Sequence, residues 1–165
     1  MQNQKQWISN LKLMPHPEGG YYRELYRSDE IIPKDALHER FNGERALSTS
    51  IYYLLEGNQF SAFHKIKSDE IWHFYDGCSI NLILIFRDGS VKNLKLGITE
   101  NETPQIIIPK NTWFAAHPID KKSYSLVGCT VSPGFDFNDF ELAERDKLIK
   151  IFPQHRDLII QFTKN

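Results

Sequence analysis

The chain contains 165 residues, of which 25% are charged and 41% hydrophobic, and its formal net charge is -1 at pH 7. This length predicts one domain spanning residues 1–165, large enough to bury a core without a stabilising metal or disulfide. A near-neutral charge argues against a nucleic-acid-binding protein, which normally carries a clustered basic excess. No apolar run is long enough to cross a bilayer, and the polar N-terminus lacks the apolar segment of a secretory signal. Cys78 and Cys129 fit neither zinc-ligand spacing nor a disulfide framework, so we expect a cytoplasmic protein without membrane or nucleic-acid partners.

The first element is predicted to be a short helix within Asn3–Leu13, because Trp7, Ile8 and Leu11 share one helical face. The Pro15–Gly20 segment ends it, since its prolines and glycines cannot continue a helix. Beyond it, short runs of aromatic and β-branched residues alternate with turn residues, which is typical of antiparallel strands. Nine strands are predicted, at Tyr21–Arg27, Leu47–Leu55, Gln59–Lys67, Glu70–Tyr75, Ser79–Phe86, Ser90–Leu96, Gln105–Ile108, Trp113–Ala116 and Ser123–Val131.

The connections between these strands differ in character. Asp88-Gly89 predicts a two-residue hairpin with a type I′ turn, in which both central residues need a positive φ. Ser68-Asp69 is interpreted as the turn of a second hairpin. Ser28–Arg45 is long, charged and irregular, and we interpret it as either a loop over a site or a mobile insertion.

Helices are predicted after Pro133. Asn138–Glu141 has the form of a capping sequence, a side-chain acceptor followed three residues later by glutamate, and an apolar stripe continues to Phe152. A second helix is predicted at His155–Phe162. Many short strands with terminal helices favour a mainly β fold, a sandwich or barrel with the helices packed outside.

Two polar side chains are expected inside this β structure. Alternation directs His64 inward from one strand and Glu70 from the next, and across a Ser68-Asp69 hairpin the two would share a face. Burying an imidazole and a carboxylate costs several kcal/mol unless they pair or meet a metal or polar ligand. We therefore interpret His64 and Glu70 as a candidate catalytic pair, the alternative being a hydrogen-bonded internal pair with no catalytic role.

The surrounding residues resemble the first motif of the cupins, which is a glycine, a His-x-His pair, a glutamate and a closing glycine. Ile66 stands where that motif has its second histidine. The residues that match are Gly57, His64, Glu70 and Gly77. Pro109–Phe114 resembles the second cupin motif, with Phe114 in place of the last metal-ligand histidine.

The whole chain resembles one uncharacterised cupin family. The segments that carry this resemblance are Pro15–Glu24 (PHPEGGYYRE), Asp69–Tyr75 (DEIWHFY) and Gly128–Phe137 (GCTVSPGFDF). The resemblance implies a double-stranded β-helix, or jelly roll, with a short N-terminal helix, C-terminal helices and a cavity. Relatives are known mainly as dimers with no agreed reaction, and a fold by itself assigns no activity.

We therefore predict a protein that binds a small molecule in its barrel cavity, with or without turnover. One alternative is a metal-free epimerase or isomerase that moves a proton with His64 and Glu70, as dTDP-sugar epimerases use a metal-free histidine within this fold. Another is a metallo-cupin with an incomplete ligand set of His64 and Glu70. Because even catalytic zinc usually has three protein ligands, a metal is disfavoured and no cofactor is assigned.

Further candidate ligand-binding residues are Arg23, Trp72, Phe74 and Phe114. Arg23 would clamp a carboxylate or phosphate at the cavity entrance, unless it forms a surface salt bridge. The three aromatic rings would line a pocket, unless they are plain core. His16 and Glu18 lie in the Pro/Gly loop, which either covers a pocket or a subunit seam or has only a shape role.

A homodimer is predicted from the apolar character of the outward-facing positions. The aromatic strand Tyr21–Tyr26 and the outward residues Ile71, His73 and Tyr75 are more apolar than a solvated sheet requires. Pairing the sheets of two protomers would cover both and would hide strand edges.

Overall fold

The computed structural model describes residues 3–164, which fold mainly into β structure. Three short helices, α1 (Gln4–Asn10), α2 (Arg145–Ile151) and α3 (Arg156–Gln161), lie at the two ends of the chain. Single 3-10 turns occur at Lys34–Ala36, Phe137–Asp139 and Pro153–His155. The strands are β1 (Met14–Pro15), β2 (Tyr21–Arg27), β3 (Ile31–Ile32), β4 (Arg45–Ala46), β5 (Thr49–Glu56), β6 (Ser61–Lys65), β7 (Asp69–Gly77), β8 (Ile80–Ile85), β9 (Val91–Leu96), β10 (Gln105–Ile108), β11 (Trp113–Pro118), β12 (Tyr124–Ser132) and β13 (Glu141–Leu142).

The strands form two facing antiparallel sheets, as in a jelly roll. The larger sheet has the order β1-β2-β5-β12-β7-β10 and the smaller one the order β13-β6-β11-β8-β9, while β3 and β4 pair separately. The main core fills the space between the sheets with side chains such as Tyr53 and Trp72 from the larger sheet and Leu84 and Phe114 from the smaller one. The predicted mainly β fold is therefore confirmed.

The helices pack on the outside of the β structure. Leu148 of α2 and Ile159 of α3 pack with Phe63 and Trp113 against the back of the smaller sheet. Trp7 of α1 packs on a third apolar cluster at one end of the larger sheet. No helix within residues 3–164 is long and apolar enough to cross a membrane.

Each of the nine predicted strands is present, with ends that agree within two residues. Three predictions for particular segments are wrong, at Asp88-Gly89, at Asn138 and at Ser68-Asp69. The hairpin between β8 and β9 has a three-residue loop, because Phe86 pairs with Ser90 and the Gly89 N–H donates to the Phe86 carbonyl. Among the residues of this loop only Gly89 has a positive φ (80°), which is the pattern of a type I turn followed by a left-handed glycine.

The predicted helix start at Asn138 is also wrong. The Asp136 carboxylate accepts from the Asn138 N–H and caps only a 3-10 turn, and Glu141–Leu142 then pairs with β6 as strand β13. Helix α2 begins at Arg145 instead. A capping sequence marks a possible helix start, but here pairing with a sheet edge competes with it and prevails.

The Ser28–Arg45 segment is packed against the sheets. It contains β3 and a 3-10 turn, and Phe41 within it is 1% exposed. The guanidinium groups of Arg40 and Arg45 lie over the Phe41 ring, at 4.6 and 5.5 Å from its centre. Since none of its residues lines the cavity described below, this segment does not cover that site.

Ser68-Asp69 is not the turn of a hairpin within one sheet, contrary to the prediction. β6 belongs to the smaller sheet and β7 to the larger one, so the chain crosses between the sheets at this point. His64 and Glu70 therefore approach the interior from opposite sheets.

Candidate functional site

A cavity of about 450 Å³ opens between the two sheets. Its deep end, here called the floor, consists of the buried side chains of His16, Glu18, Tyr53, His64 and Glu70. Its outer end, here called the mouth, is formed by Glu24, Arg27, Phe135, Asp136 and Phe137. The remaining lining residues are Tyr22, Thr49, Ile51, Ile66, Cys129, Val131 and Phe140.

The Pro15–Gly20 turn places Glu18 in the floor. The Gly20 carbonyl accepts from the His16 N–H, and the Glu18 carbonyl accepts from the Ala62 N–H of β6, which fastens the turn to the smaller sheet. Gly19 has φ 124°, and a Cβ atom there would collide with the Phe60 carbonyl oxygen. Only glycine allows the turn to approach the sheet this closely.

Glu18 is the direct partner of His64. The Glu18 side chain, on a residue 5% exposed, accepts from the Ser61 hydroxyl through Oε1 (2.9 Å) and lies 3.1 Å from His64 Nε2 through Oε2. His64 Nδ1 lies 2.8 Å from the Ala62 carbonyl oxygen. Because a carbonyl oxygen only accepts, Nδ1 carries a proton, and one further proton lies between His64 Nε2 and the Glu18 carboxylate. Glu18 and His64 are therefore joined by a hydrogen bond across the floor.

His16 completes this side of the floor. Its Nδ1 accepts a hydrogen bond from the Glu18 N–H (3.3 Å), so in the neutral ring Nε2 carries the proton. Burial lowers the pKa of His16, an effect that the nearby Glu18 carboxylate partly opposes. Its ring packs edge-on against Tyr22 at 4.5 Å between centres. His16 is therefore a neutral donor at neutral pH.

Glu70 enters from the larger sheet and is 8% exposed. Burial, followed by the charge of Glu18, raises its pKa to about 8. Burial also raises the pKa of the Cys129 thiol well above its usual value. Within the described chain Glu70 forms no ion pair. At neutral pH it is therefore mainly a carboxylic acid, able to donate a hydrogen bond.

The mouth combines one ion pair with several aromatic rings. Arg27 donates to both oxygens of Glu24, through Nε (2.9 Å) and Nη2 (2.7 Å), and Nη2 also reaches the Phe135 carbonyl (3.1 Å). The rings of Phe135 and Phe137 pack edge-on at 5.0 Å, and Phe140 lies behind them at 6.1 to 6.3 Å. These rings give the mouth an apolar surface in front of the polar floor.

Arg23 does not face the cavity, contrary to the prediction. Its guanidinium donates to the Leu11 carbonyl (3.1 Å) on the outer face of the larger sheet. Tyr22 and Glu24 face inward, so alternation turns Arg23 away. An irregularity between Glu24 and Tyr26 then changes the parity of the strand and directs Arg27 to the mouth instead.

Trp72, Phe74 and Phe114 point toward the interior, as alternation predicts, but they do not line the cavity. They fill the space between the sheets beside it, where Trp72 and Phe114 pack edge-on at 6.0 Å. Phe114 contacts the His64 ring at 4.1 Å between centres and supports it from behind. The Trp72 Nε1 atom is buried without a hydrogen-bond partner among the described residues.

The arrangement does not fit a bound metal. Among residues 3–164 no three or more His, Cys, Asp or Glu side chains converge as metal ligands. Ile66 lines the cavity and Phe114 the core at positions where the cupin motifs have histidines, and both ring nitrogens of His64 are engaged with protein oxygens. We therefore derive no chemical step through a metal.

Sequence reasoning placed His64 and Glu70 inward and missed how the site is completed. It left Glu18 and His16 open between a cover and a shape role, and it did not identify Arg27, Tyr53 or the mouth rings. One feature of the sequence could have identified Glu18. This carboxylate is directly followed by Gly19 and Gly20, and two successive glycines are typical of a tight turn that lies close to the backbone of another segment. The partner of His64 lies far away in the chain, so strand alternation alone cannot find it.

Comparisons with known proteins agree on the family. The family model described as "Cupin superfamily (DUF985)" matches residues 5–143. A Shewanella oneidensis protein of known structure is 36% identical, with a TM-score of 0.89 and 99% of both chains covered. A hypothetical protein from Leishmania major is 31% identical, with a TM-score of 0.90 and 99% and 100% of the two chains covered. An uncharacterized Saccharomyces cerevisiae protein is 29% identical over 157 residues, which cover 88% of this chain and 78% of that one.

More distant structures share the fold alone. Oxalate decarboxylase from Bacillus subtilis is 13% identical, with a TM-score of 0.55 over 90% of this chain and 36% of that one. Since the family model covers most of the chain and the two similar structures match it nearly end to end, this protein belongs to the uncharacterised DUF985 family of the cupin superfamily.

Proposed function

We propose that this protein binds a small organic molecule in the cavity between its sheets. The observation that carries the proposal is the burial of four ionisable side chains, His16, Glu18, His64 and Glu70, around one open space. Buried polar groups in a concave pocket, with shifted pKa values at His16 and Glu70, are the usual mark of a binding or catalytic site. The rings at the mouth supply the apolar surface that such ligands need.

A ligand-observed NMR screen tests this proposal. The library consists of small ring compounds, each present as an alcohol, a carboxylate and an amine, and is screened against the wild type and Val131→Phe. Val131 lines the cavity, so the larger side chain would occupy ligand space. We expect a set of compounds that bind the wild type and lose binding in Val131→Phe. They should keep binding in Val91→Phe, because Val91 lies on β9 away from the cavity. Binding that is indifferent to Val131→Phe, or no binding by any compound, would contradict the proposal.

Proton-transfer chemistry is the second candidate function, favoured by two proton-handling groups on opposite sheets. On one side a Glu18 carboxylate oxygen, held next to His64, accepts a proton from the carbon next to a carbonyl group. On the other, Glu70 gives its proton to the carbonyl oxygen as the electron pair of the broken C–H bond forms the C=C bond of an enediol. Return of a proton to carbon completes an isomerisation or epimerisation with no metal or redox partner.

Deuterium uptake from D₂O tests this second candidate. We would incubate uncharged aldoses and ketoses, such as glyceraldehyde and dihydroxyacetone, with the protein and follow C–H exchange by NMR. Exchange by the wild type that falls at least about tenfold in Glu18→Gln and in Glu70→Gln supports proton transfer. Wild-type exchange no faster than in buffer, or exchange that is undiminished in either variant, contradicts proton transfer and leaves the binding proposal standing.

We also propose that two copies associate through the outer face of the larger sheet. Tyr75 and Ile107 on this face are 50% and 58% exposed, and the Tyr75 ring packs with Tyr52 at 6.1 Å. Such a patch is typical of an interface. The cytoplasmic location stays a prediction, and two free thiols are compatible with a reducing compartment.

A further inference from the structure

The cavity wall contains no free cationic side chain among the residues that the structure describes. Arg27 is its one arginine, and there is no lysine in the lining. Two of the guanidinium nitrogens are occupied by the Glu24 carboxylate and the Phe135 carbonyl oxygen. A carboxylate or phosphate that entered the mouth would find this arginine already neutralised.

The carboxylates of the wall are also satisfied from within the protein. Glu18 accepts from Ser61 and pairs with His64, and Asp136 accepts from the Asn138 N–H (2.8 Å). Glu70 has no cationic partner in the described chain, but burial raises its pKa to about 8, so that at neutral pH it is mainly uncharged. Asp136 forms no ion pair among the described residues, so an anionic ligand would enter a wall that already carries an excess of negative charge.

The groups that remain for a ligand are neutral donors and acceptors. The Tyr53 hydroxyl donates to the Gly19 carbonyl (2.7 Å) and retains lone pairs that can accept. His16 Nε2–H and the protonated Glu70 carboxyl can donate. Hydroxyl and carbonyl oxygens match these groups, whereas burying an unpaired anion beside Glu18 would carry a large desolvation and repulsion cost.

We infer that the cavity selects uncharged hydroxy or carbonyl compounds and rejects carboxylates and phosphates. This inference rests on the proposed binding function and specifies its ligand class. Rejection follows from the Glu24–Arg27 pair at the mouth and the Glu18 carboxylate at the floor. Selection follows from the neutral hydrogen-bonding groups of Tyr53 and Glu70.

The matched compounds of the NMR screen test the inference, with benzyl alcohol, benzoate and benzylamine as the titrated set at pH 7. Among compounds whose binding is lost in Val131→Phe, we expect each alcohol to bind at least about tenfold more tightly than its carboxylate and its amine. Cavity-dependent binders that are mainly carboxylates or mainly amines would overturn the charge inference and leave the binding function intact. A screen without any cavity-dependent binder would instead overturn the binding function itself.

A variant that should gain benzoate binding provides a second and more specific test. Glu24→Gln removes the carboxylate that occupies Arg27 and should increase benzoate affinity at least about fivefold, because a guanidinium becomes available at the mouth. Glu100→Gln makes the same change of net charge at an exposed position outside the cavity lining and should leave benzoate binding unchanged. Equal benzoate affinity in Glu24→Gln and the wild type would show that the ion pair does not cause the rejection.

Discussion

Folding changes the ionisation of Glu70 in the neutral pH range. In the unfolded chain its carboxyl has the ordinary pKa of 4.5, whereas burial beside Glu18 raises the folded-state pKa to about 8. Below pH 4.5 the group is protonated in both states and imposes no cost. Between pH 4.5 and about 8 only the unfolded state loses the proton, so the free energy of unfolding falls as pH rises. Above pH 8 the loss is complete and stays constant.

The variant Glu70→Gln should remove this pH dependence, because an amide does not titrate. We expect the stability of Glu70→Gln relative to the wild type to increase from pH 5 to pH 8, by up to about tenfold in the folding equilibrium constant per pH unit. Urea denaturation at pH 5, 6, 7 and 8 measures the difference. Glu100→Gln, at an exposed position, should give a difference that does not change with pH. Parallel stability curves for the wild type and Glu70→Gln would mean that Glu70 is ionised in the folded protein.

For individual residues, strand alternation predicted which way a side chain points but not which residues it contacts. It correctly turned His64 and Glu70 inward because strand periodicity is local. It could not show that Trp72 and Phe114 lie in a filled part of the interior, since the depth of packing depends on both sheets. Arg23 was misplaced for a simpler reason, which is that its neighbours Tyr22 and Glu24 face the cavity and it must therefore face away.

The Pro15–Gly20 turn is the element on which the floor depends most directly. Gly19→Ala places a Cβ atom against the Phe60 carbonyl oxygen and requires a φ of 124° that alanine strongly disfavours. We expect a loss of at least about 2 kcal/mol in the free energy of unfolding, measured by urea denaturation. Gly43→Ala is the matched control, because its nearest new contact is Arg45 Nη1 at 3.4 Å and its φ is not positive. Equal, small effects of the two variants would show that the turn can move away from the sheet at little cost.

A buried ion pair anchors the aromatic segment at the mouth. Arg45 Nε and Nη2 lie 2.6 and 2.7 Å from the two carboxylate oxygens of Asp139, and both side chains are about 5% exposed. The pair joins β4 to the 3-10 turn Phe137–Asp139. It thereby fixes the position of Phe137 and of the adjacent Phe140.

Asp139→Asn should leave the Arg45 charge buried without its partner. We expect a loss of about 3 kcal/mol in the free energy of unfolding, together with faster amide hydrogen exchange at residues 136–140. Replacing both partners, in Arg45→Met with Asp139→Leu, should recover much of that loss, because the buried guanidinium is gone and Lys67, the other cation near Asp139 (3.5 Å), has a side chain 25% exposed that can turn to solvent. A double variant that is no more stable than Asp139→Asn would argue that the pair acts through its shape and not through its charge.

Some connections between secondary-structure elements could be predicted from the local sequence, and others could not. Glycine and proline marked the ends of strands, since their backbone preferences are intrinsic to the residue. The crossing at Ser68-Asp69, where the chain passes from one sheet to the other, has no such local cause. The choice between a hairpin and a crossing depends on which strands pair, and β7 pairs with β10 and β12, which come much later in the chain.

At the scale of the whole molecule, hydrophobic alternation and length were sufficient to predict the fold class, because two apolar sheet faces must cover each other.

The outer face of the larger sheet is also apolar, but no second sheet of the described chain covers it. Ile71 and Ile107 pair across it, and Tyr75 lies over Gly128, where a Cβ atom would collide with the tyrosine ring. Helix α1 covers only the end of this sheet near Leu54 and Leu126, so an apolar region remains for a second copy.

The homodimer is tested by placing a charge in the middle of that face. We expect light scattering at micromolar concentration to give twice the 19.3 kDa of the chain for the wild type and a monomer for Tyr75→Asp, because an interface would have to bury the new carboxylate. Ile98→Asp is the control, since Ile98 is 75% exposed in the turn after β9 and its substitution should leave the mass unchanged. The dimer proposal is wrong if the wild type is already monomeric at this concentration. If Tyr75→Asp keeps the dimer mass, the copies associate through another face, and the apolar surface around Tyr75 requires a different partner.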